Sequence, residues 1–298
     1  MVESSQDTDT KVRSDLPGSS TDNQQREALT NETTKRMLST LEVAEAGLEA
    51  LEQHDEAAAR EHDAASRRRT ALKVSVLIPV YNEEETIRTI VDRVLATGVA
   101  NEVVIVDDAS TDGTRDVLVE LGQRSNVQVL LHGYNKGKGA ALHTALAHAR
   151  GDIVLIQDAD LEYDPTDYEK LIAPIRSGEA DVVYGSRFLE NAEQDPSWLH
   201  RFGNAALTWL SNATTGLRLT DMETCYKVFR KAAVRNMVLR ETRFGFEPEL
   251  TAKLARRKCR FLEVPIAYKS RGYDEGKKIH VRDGLRAIYC ILRYWLLD

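Results

Sequence analysis

An α/β fold is what this sequence predicts: a doubly wound, mostly parallel sheet flanked by helices, with a helical extension at the N-terminus. Short apolar runs at Val74–Val80, 103–106, Val127–Leu131 and Ile153–Ile156 alternate with stretches whose apolar residues recur at helical spacing. The run from Ile153 to Ile156 is unbroken, as suits a strand covered on both faces of a parallel sheet. Polar signatures follow the ends of these runs, the edge at which open α/β sheets bind ligands.

The chain has 298 residues, 42% hydrophobic and 29% charged, enough for an ample core in one large domain or two small ones. Its net charge of −7 is unevenly placed: residues 1–70 hold 15 acids against 9 bases, and residues 253–298 hold 12 bases against 5 acids. The body is therefore close to neutral, with a basic C-terminal end. Cys225, Cys259 and Cys290 stand singly, without metal-ligand spacing or a disulfide framework, which favours a reducing, cytosolic setting. The polar N-terminus shows no secretory signal, and the apolar run 287–297, interrupted by Arg293, is too short to span a bilayer.

Taken in order, residues 1–30 are polar with little to bury and read as a disordered tail. A helical extension over 31–70 carries Met37, Leu41, Ala44, Leu48 and Leu51 at alternating four- and three-residue steps, either a short dimerising coiled coil or a lone amphipathic helix. Arg67, Arg68 and Arg69 mark a junction. A domain over 71–283 follows. The first strand ends in Pro79, Val80, Tyr81, Asn82 and Glu83, and Glu83 to Glu85 are expected in the first turn of the next helix, where acids favour its dipole. The second strand ends in Asp107 and Asp108. After the third come Gly137, Lys138 and Gly139, which match neither a P-loop nor a dinucleotide fingerprint and suit a helix entry whose amides meet an anion. The fourth strand ends in Asp158, Ala159 and Asp160, with Glu162 just beyond.

In the second half, residues 182–187 read as a strand ending in Arg187, followed by a polar loop at 194–198 and a helix from Leu199 to Thr215 carrying Arg201. Asp221 and Glu223 precede an alternating strand, Glu247 opens a helix from about Pro248, and residues 261–266 form a last strand. A cationic loop with Arg271, Lys277 and Lys278 leads to a C-terminal amphipathic helix from about Asp283. Arg286 and Arg293 share one face of that helix, with Leu285, Ile288, Tyr289, Ile291, Leu292, Trp295 and Leu296 around them. It is either an interfacial helix near anionic lipid or a packing or oligomer helix.

Tyr81, Asp108, Lys138 and Asp158 lie far apart in sequence, yet each follows a strand of one sheet and so can face one crevice. An aromatic face, a carboxylate for base or ribose donors, a lysine for phosphate and a carboxylate pair for a cation at a pyrophosphate together suit a nucleotide diphosphate.

These residues resemble family 2 glycosyltransferases of the GT-A fold, and among them the polyprenyl- and dolichyl-phosphate mannose and glucose synthases. The resemblance covers about residues 73–283. It rests on Pro79, Tyr81, Asn82 and Glu83; on Asp107, Asp108, Ser110, Asp112, Gly113 and Thr114; on Asp158 and Asp160; and on Gly185, Ser186 and Arg187. It implies an inverting transferase that uses a nucleotide-diphosphate sugar and a divalent metal, Mg²⁺ or Mn²⁺. Pro79, Tyr81, Glu83, Asp107, Asp108, Lys138 and Asp158 would then hold the donor, and Asp158, Asp160 and Glu162 the metal. Arg187 and Arg201 look like the acceptor-phosphate arginines, assisted by Arg271, Lys277 and Lys278. Glu162 stands where lipid-phosphate mannosyl enzymes commonly have glutamine, and Gly203, Asn204 and Ala205 stand where a serine often follows the second arginine.

The activity this implies is transfer of a hexosyl group from a GDP- or UDP-sugar to a polyprenyl phosphate, with Asp158, Asp160, Arg187 and Arg201 as its machinery. An ionised phosphate acceptor needs no general base. A sugar or alcohol acceptor would need one, for which Glu247, Asp221 and Glu223 are candidates, Glu247 reading equally as a helix-start acid. A soluble transferase acting on a small phosphorylated or polysaccharide acceptor, and a silent nucleotide-sugar-binding subunit, are the competing readings. The expected setting is the cytoplasmic face of a membrane, with peripheral contact, self-association through the N-terminal helix and no nucleic-acid partner.

Overall fold

Seven strands join in one sheet among the residues that the computed structural model describes, which are 72–189, 198–270, 281–297 and helical residues within 27–60. The tail up to residue 26, Arg67 to Arg69, the loop 190–197, and Arg271, Lys277 and Lys278 lie outside the described residues.

The chain divides into two units, 1–65 and 66–298. In the first, a helical stretch begins by residue 27 and leaves Met37, Leu48 and Leu51 exposed; Leu41 and Ala44 of the expected seam lie outside the described residues.

The second unit holds β1 (Val74–Val80), α1 (Ile87–Ala96), β2 (Glu102–Asp107), α2 (Thr114–Leu121), β3 (Val127–Leu131), α3 (Lys138–His148) and β4 (Ile153–Ile156). It continues through α4 (Tyr168–Ser177), β5 (Val182–Ser186), α5 (Trp198–Thr215), β6 (Lys227–Arg230), α6 (Phe246–Arg256), β7 (Phe261–Pro265) and α7 (Val281–Leu296). The strands run β3-β2-β1-β4-β6-β5-β7. All neighbours are parallel except β6, which lies antiparallel between β4 and β5. The order therefore reverses between β1 and β4, where Val74 pairs with Ile153 and Leu77 with Ile156. Chains leaving these two strands turn to opposite sides and open a crevice at the carboxyl edge.

The composition of each strand matches its place. β4 and β2, inside the sheet, are buried throughout, whereas edge strand β3 ends on the exposed Leu131. Ile87, Ile90, Val91 and Val94 form the buried stripe of α1. α1 starts later than its acids suggest: Glu83 to Glu85 form a turn before it, with the Glu83 carbonyl accepting from the amides of Thr86 (3.2 Å) and Ile87 (3.0 Å). The predicted helix-dipole role of these acids is thereby replaced by a loop role. α6 begins at Phe246 rather than Pro248, which brings Glu247 into its first turn.

The C-terminal helix α7 packs on α5 and α6, burying Ala287, Cys290, Ile291 and Tyr294. Leu285, Tyr289, Trp295 and Leu296 on its other side are exposed. It is thus both a packing helix and an amphipathic one. Among the described residues, no helix is long and apolar enough to cross a membrane.

Leu155 is fully buried at the centre of β4, so Leu155→Ala should destabilise the protein by about 2–5 kcal/mol. Leu131→Ala, at an exposed site, should stay within about 0.5 kcal/mol. Urea denaturation of both variants checks this, and equal costs would contradict the burial order of the sheet.

Candidate functional site

Two loops meet at the switch point and are laced by their own side chains. Asn82 takes a left-handed conformation (φ 53°), as does Ala109 (φ 64°), which turns both loops sharply. The Asn82 amide donates to Ser110 Oγ (2.9 Å) and its Oδ1 accepts the Thr111 amide (2.8 Å). The Glu83 amide donates to Thr114 Oγ1 (2.9 Å), and Glu84 accepts the Gly113 amide (3.0 Å). Tyr81 and Glu83 are half-buried on this seam, and Pro79 is the next-to-last residue of β1 before it.

The two acids ending β2 are engaged by the protein itself. Asp107 is fully buried and accepts from Arg115 Nε at 2.8 Å and from the Ser110 amide. Asp108, also buried, accepts the amides of Lys136 (2.9 Å) and Gly137 (2.6 Å) and meets His132 Nδ1 at 2.7 Å. The sequence placed Asp108 against base or ribose donors. In the structure its oxygens hold the loop entering α3. The amides expected to meet a ligand anion meet that carboxylate instead.

Lys138, the first residue of α3, points to the end of β4. Its Nζ lies 2.9 Å from Asp158 Oδ1 and 3.3 Å from Glu247 Oε1. Burial would strip its proton, but the Asp158 and Glu247 charges hold its pKa well above the ordinary lysine value. This salt-bridge triad joins three elements that are more than a hundred residues apart at their extremes. Asp160 is half-buried, and one of its oxygens accepts the Glu162 amide at 3.2 Å. Glu162, expected as a third metal ligand, turns its carboxylate to the Tyr268 hydroxyl at 3.0 Å. Among the described residues no three His, Cys, Asp or Glu side chains converge as a metal-holding group.

Arg187 follows β5 and forms a two-point pair with the buried Asp221, Nε to Oδ2 at 2.7 Å and Nη2 to Oδ1 at 2.8 Å. Its guanidinium lies 5.2 Å from the Tyr268 ring centre. Burial alone would raise the Asp221 carboxyl, yet the charge and hydrogen bonds of Arg187 hold it below the usual carboxylate range. Asp221, a candidate base from sequence, is therefore a partner of Arg187. Asn204 Nδ2 also donates to it, at 3.2 Å. Arg201, expected beside Arg187, is exposed on α5. Behind the pair, the buried Lys227 donates to the Met222 carbonyl at 2.8 Å and sits 4.5 Å above the Tyr184 ring.

Glu223 and Glu247 complete the site. Glu223 Oε1 and Glu247 Oε2 are buried without a hydrogen-bond partner among the described residues. Burial first, and then the Glu247 charge, push the Glu223 carboxyl up to about 8. Sequence reading gave no role to Lys227 or Tyr268, and named Asn204 only as standing where a serine is common. Lys227 looks like one polar position of an alternating strand, and its burial arises only because β6 is inserted between β4 and β5.

Known proteins share the sequence pattern and the fold. A model of glycosyl transferase family 2 matches residues 75–242, more than half of the chain. An undecaprenyl-phosphate 4-deoxy-4-formamido-L-arabinose transferase of Edwardsiella ictaluri is 31% identical over 210 residues, 68% of this chain and 62% of that relative. The match thus takes in less than two thirds of the relative's length. Among solved structures, glucosyl-3-phosphoglycerate synthase of Mycobacterium tuberculosis, in complex with Mn²⁺, UDP and phosphoglyceric acid, superposes with a TM-score of 0.60 at 20% identity. That alignment covers 78% of this chain and 82% of the other. Mannosyl-3-phosphoglycerate synthase of Rubrobacter xylanophilus gives 0.59 at 22% identity, covering 77% and 74%.

The raised carboxyl of Glu223 sets a pH dependence. Between the ordinary 4.5 and about 8 the folded state holds a proton that the unfolded state has lost, so this residue's contribution to stability falls as pH rises through that window. Glu223→Gln should remove the fall, so that its stability relative to the parent grows between about pH 5 and about pH 8. Denaturant titrations across that range check it; parallel curves would refute the assignment.

Proposed function

The chain belongs to glycosyl transferase family 2 and is a glycosyltransferase of the GT-A fold, and from that premise we propose that it transfers a hexosyl group from a GDP- or UDP-sugar to a polyprenyl phosphate. The observation that carries this reading is the state of the acids around Lys138. Asp221 is locked to Arg187, Glu223 keeps its proton near neutrality, and Glu247 is paired with Lys138. Neither Asp221 nor Glu223 stands ready to deprotonate a hydroxyl, and Glu247 is held to Lys138 through one oxygen. A phosphate monoester brings its own negative oxygen and needs no such base. The 31% identical relative, whose name includes undecaprenyl phosphate, supports the same acceptor class.

In this reaction an acceptor phosphate oxygen bonds to the anomeric carbon while the bond from that carbon to the nucleoside diphosphate breaks, and the diphosphate leaves with the electron pair. Lys138 stabilises the departing charge from the floor of the crevice. The donor set fits a divalent cation: Asp158 and Asp160 offer hard oxygens on one strand end, and Asp158 already draws the Lys138 cation to 2.9 Å. Asp158 and Asp160 would hold Mg²⁺ or Mn²⁺, which would supply charge neutralisation at the diphosphate. Tyr81 and Glu83, on the laced loops, would face the nucleoside. Arg187, with Arg201 and the cationic residues Arg271, Lys277 and Lys278, would receive the acceptor phosphate.

The exposed apolar side of α7 supports peripheral contact with a membrane, at its cytoplasmic face, where a lipid phosphate would be met. The exposed Met37, Leu48 and Leu51 support self-association through the N-terminal helical stretch.

Nucleoside-diphosphate release from a panel of GDP- and UDP-sugars with Mg²⁺ or Mn²⁺, with polyprenyl phosphate in detergent or with 3-phosphoglycerate, tests the proposal. Release that depends on the lipid, is abolished by EDTA and falls about 100-fold in Asp160→Ala is expected. Release driven by 3-phosphoglycerate alone would move the acceptor to a small phosphorylated molecule, and no release with any donor would overturn the reading.

A further inference from the structure

Residues 240–245, between β6 and α6, form a loop gripped from three sides. Its start is held by Glu249, whose carboxylate accepts the amides of Arg240 (2.8 Å) and Glu241 (2.7 Å). Its middle lies against the glycines that flank Lys138: the Thr242 carbonyl accepts the Ala140 amide at 2.9 Å, and a Cβ on Gly137 would stand 2.5 Å from that same carbonyl oxygen. A Cβ on Gly139 would collide with the Glu241 carbonyl. Gly137, at φ 100°, and Gly139 therefore permit a backbone approach that no other residue allows. The loop is the bed on which Lys138 rests.

The third grip comes from the C-terminal helix. The buried Glu241 side chain accepts from Arg286 Nη2 (2.7 Å) and from the Tyr294 hydroxyl (3.1 Å), with Arg293 at 3.8 Å. Burial would raise this carboxyl, but the Arg286 hydrogen bonds and charge keep it below the usual glutamate range. All three partners lie on α7. Arg286 and Arg293, which the sequence offered to lipid, are thus turned to a carboxylate inside the protein.

We propose that Glu241 is a positioning residue for the transfer reaction: it clamps α7 to the loop under Lys138, so that the place of Lys138 beside Asp158 and Glu247 depends on how the C-terminal helix is docked. The inference rests on the proposed reaction, in which Lys138 faces the departing diphosphate. The linkage is short, one side chain from α7 to the loop and one hydrogen bond from the loop to α3.

The test is a double-mutant cycle on the full chain, with kcat, donor KM and thermal midpoint read for the parent, Glu241→Gln, Lys138→Gln and the pair. Glu241→Gln should lower kcat about tenfold while donor KM stays within about twofold, and in the Lys138→Gln background it should have no further effect. A full tenfold loss added on top of Lys138→Gln would overturn the inference, because Glu241 would then act elsewhere or only through stability. A Lys138→Gln enzyme as fast as the parent would instead overturn the role of Lys138 in the proposed reaction. Should Glu241→Gln fail to fold, Arg286→Gln, changed on a half-exposed side chain, asks the same question. Arg286→Lys should recover most of the rate, and a rate equal to that of Arg286→Gln would count against the clamp.

Discussion

A half-buried lysine loses part of its hydration, which nearby opposite charges offset, and the crevice is arranged around that requirement at Lys138. Asp158 comes from the end of β4 and Glu247 from the first turn of α6, so the triad closes only when the sheet order, the entry of α3 and the start of α6 are all correct. Each neighbour contributes to this closure. β4 must lie beside β1 to bring Asp158 to the switch point, and the glycines at 137 and 139 must be bare for the loop before α6 to come close. In the proposed reaction these charges would meet the negative charge of a diphosphate and a cation that offsets it. A ligand entering such a site exchanges partners with groups already oriented, a condition for stabilising charge that develops during transfer.

The loops above the triad follow a different rule. Asp107 and Asp108 satisfy backbone amides and the side chains of Arg115 and His132, which turns two flexible connections into a stiff rim. Buried carboxylates that accept several donors are costly to move, so the rim is preorganised rather than closing on a ligand. Tyr81 and Glu83 are carried on this rim. Their aim is set by the left-handed turns at Asn82 and Ala109, strained conformations that the lacing hydrogen bonds sustain.

At the other side of the triad the same physics links the site to the molecular surface. Glu241 balances Arg286 and Arg293 on a helix whose outer side carries Leu285, Tyr289 and Trp295. Glu241 thereby offsets one of the two arginine charges, while the Arg286 side chain stays half-exposed beside the apolar outer side.

The sequence by itself determined the periodicity of this protein: which runs are strands, which are helices, and that Asp108, Lys138 and Asp158 each follow a strand. Those are local properties, set by the spacing of apolar residues and by turn chemistry. It also carried the motif set that marks the family. Tertiary structure alone decided what each polar side chain meets. Asp108 was legible as a site acid but not as the anchor of the 136–137 amides; Asp221 was legible as an acid but not as the fixed partner of Arg187; Glu162 was legible as an oxygen donor but not as the acceptor of the Tyr268 hydroxyl. Lys227 and Glu241 gave no sequence signal, because a strand lysine and a loop glutamate look solvated until β6 is inserted between β4 and β5 and α7 folds back on α6. The physical reason is that a charge's role depends on its burial and on partners many residues away. Local pattern sets the element, and only packing brings those partners within hydrogen-bond reach.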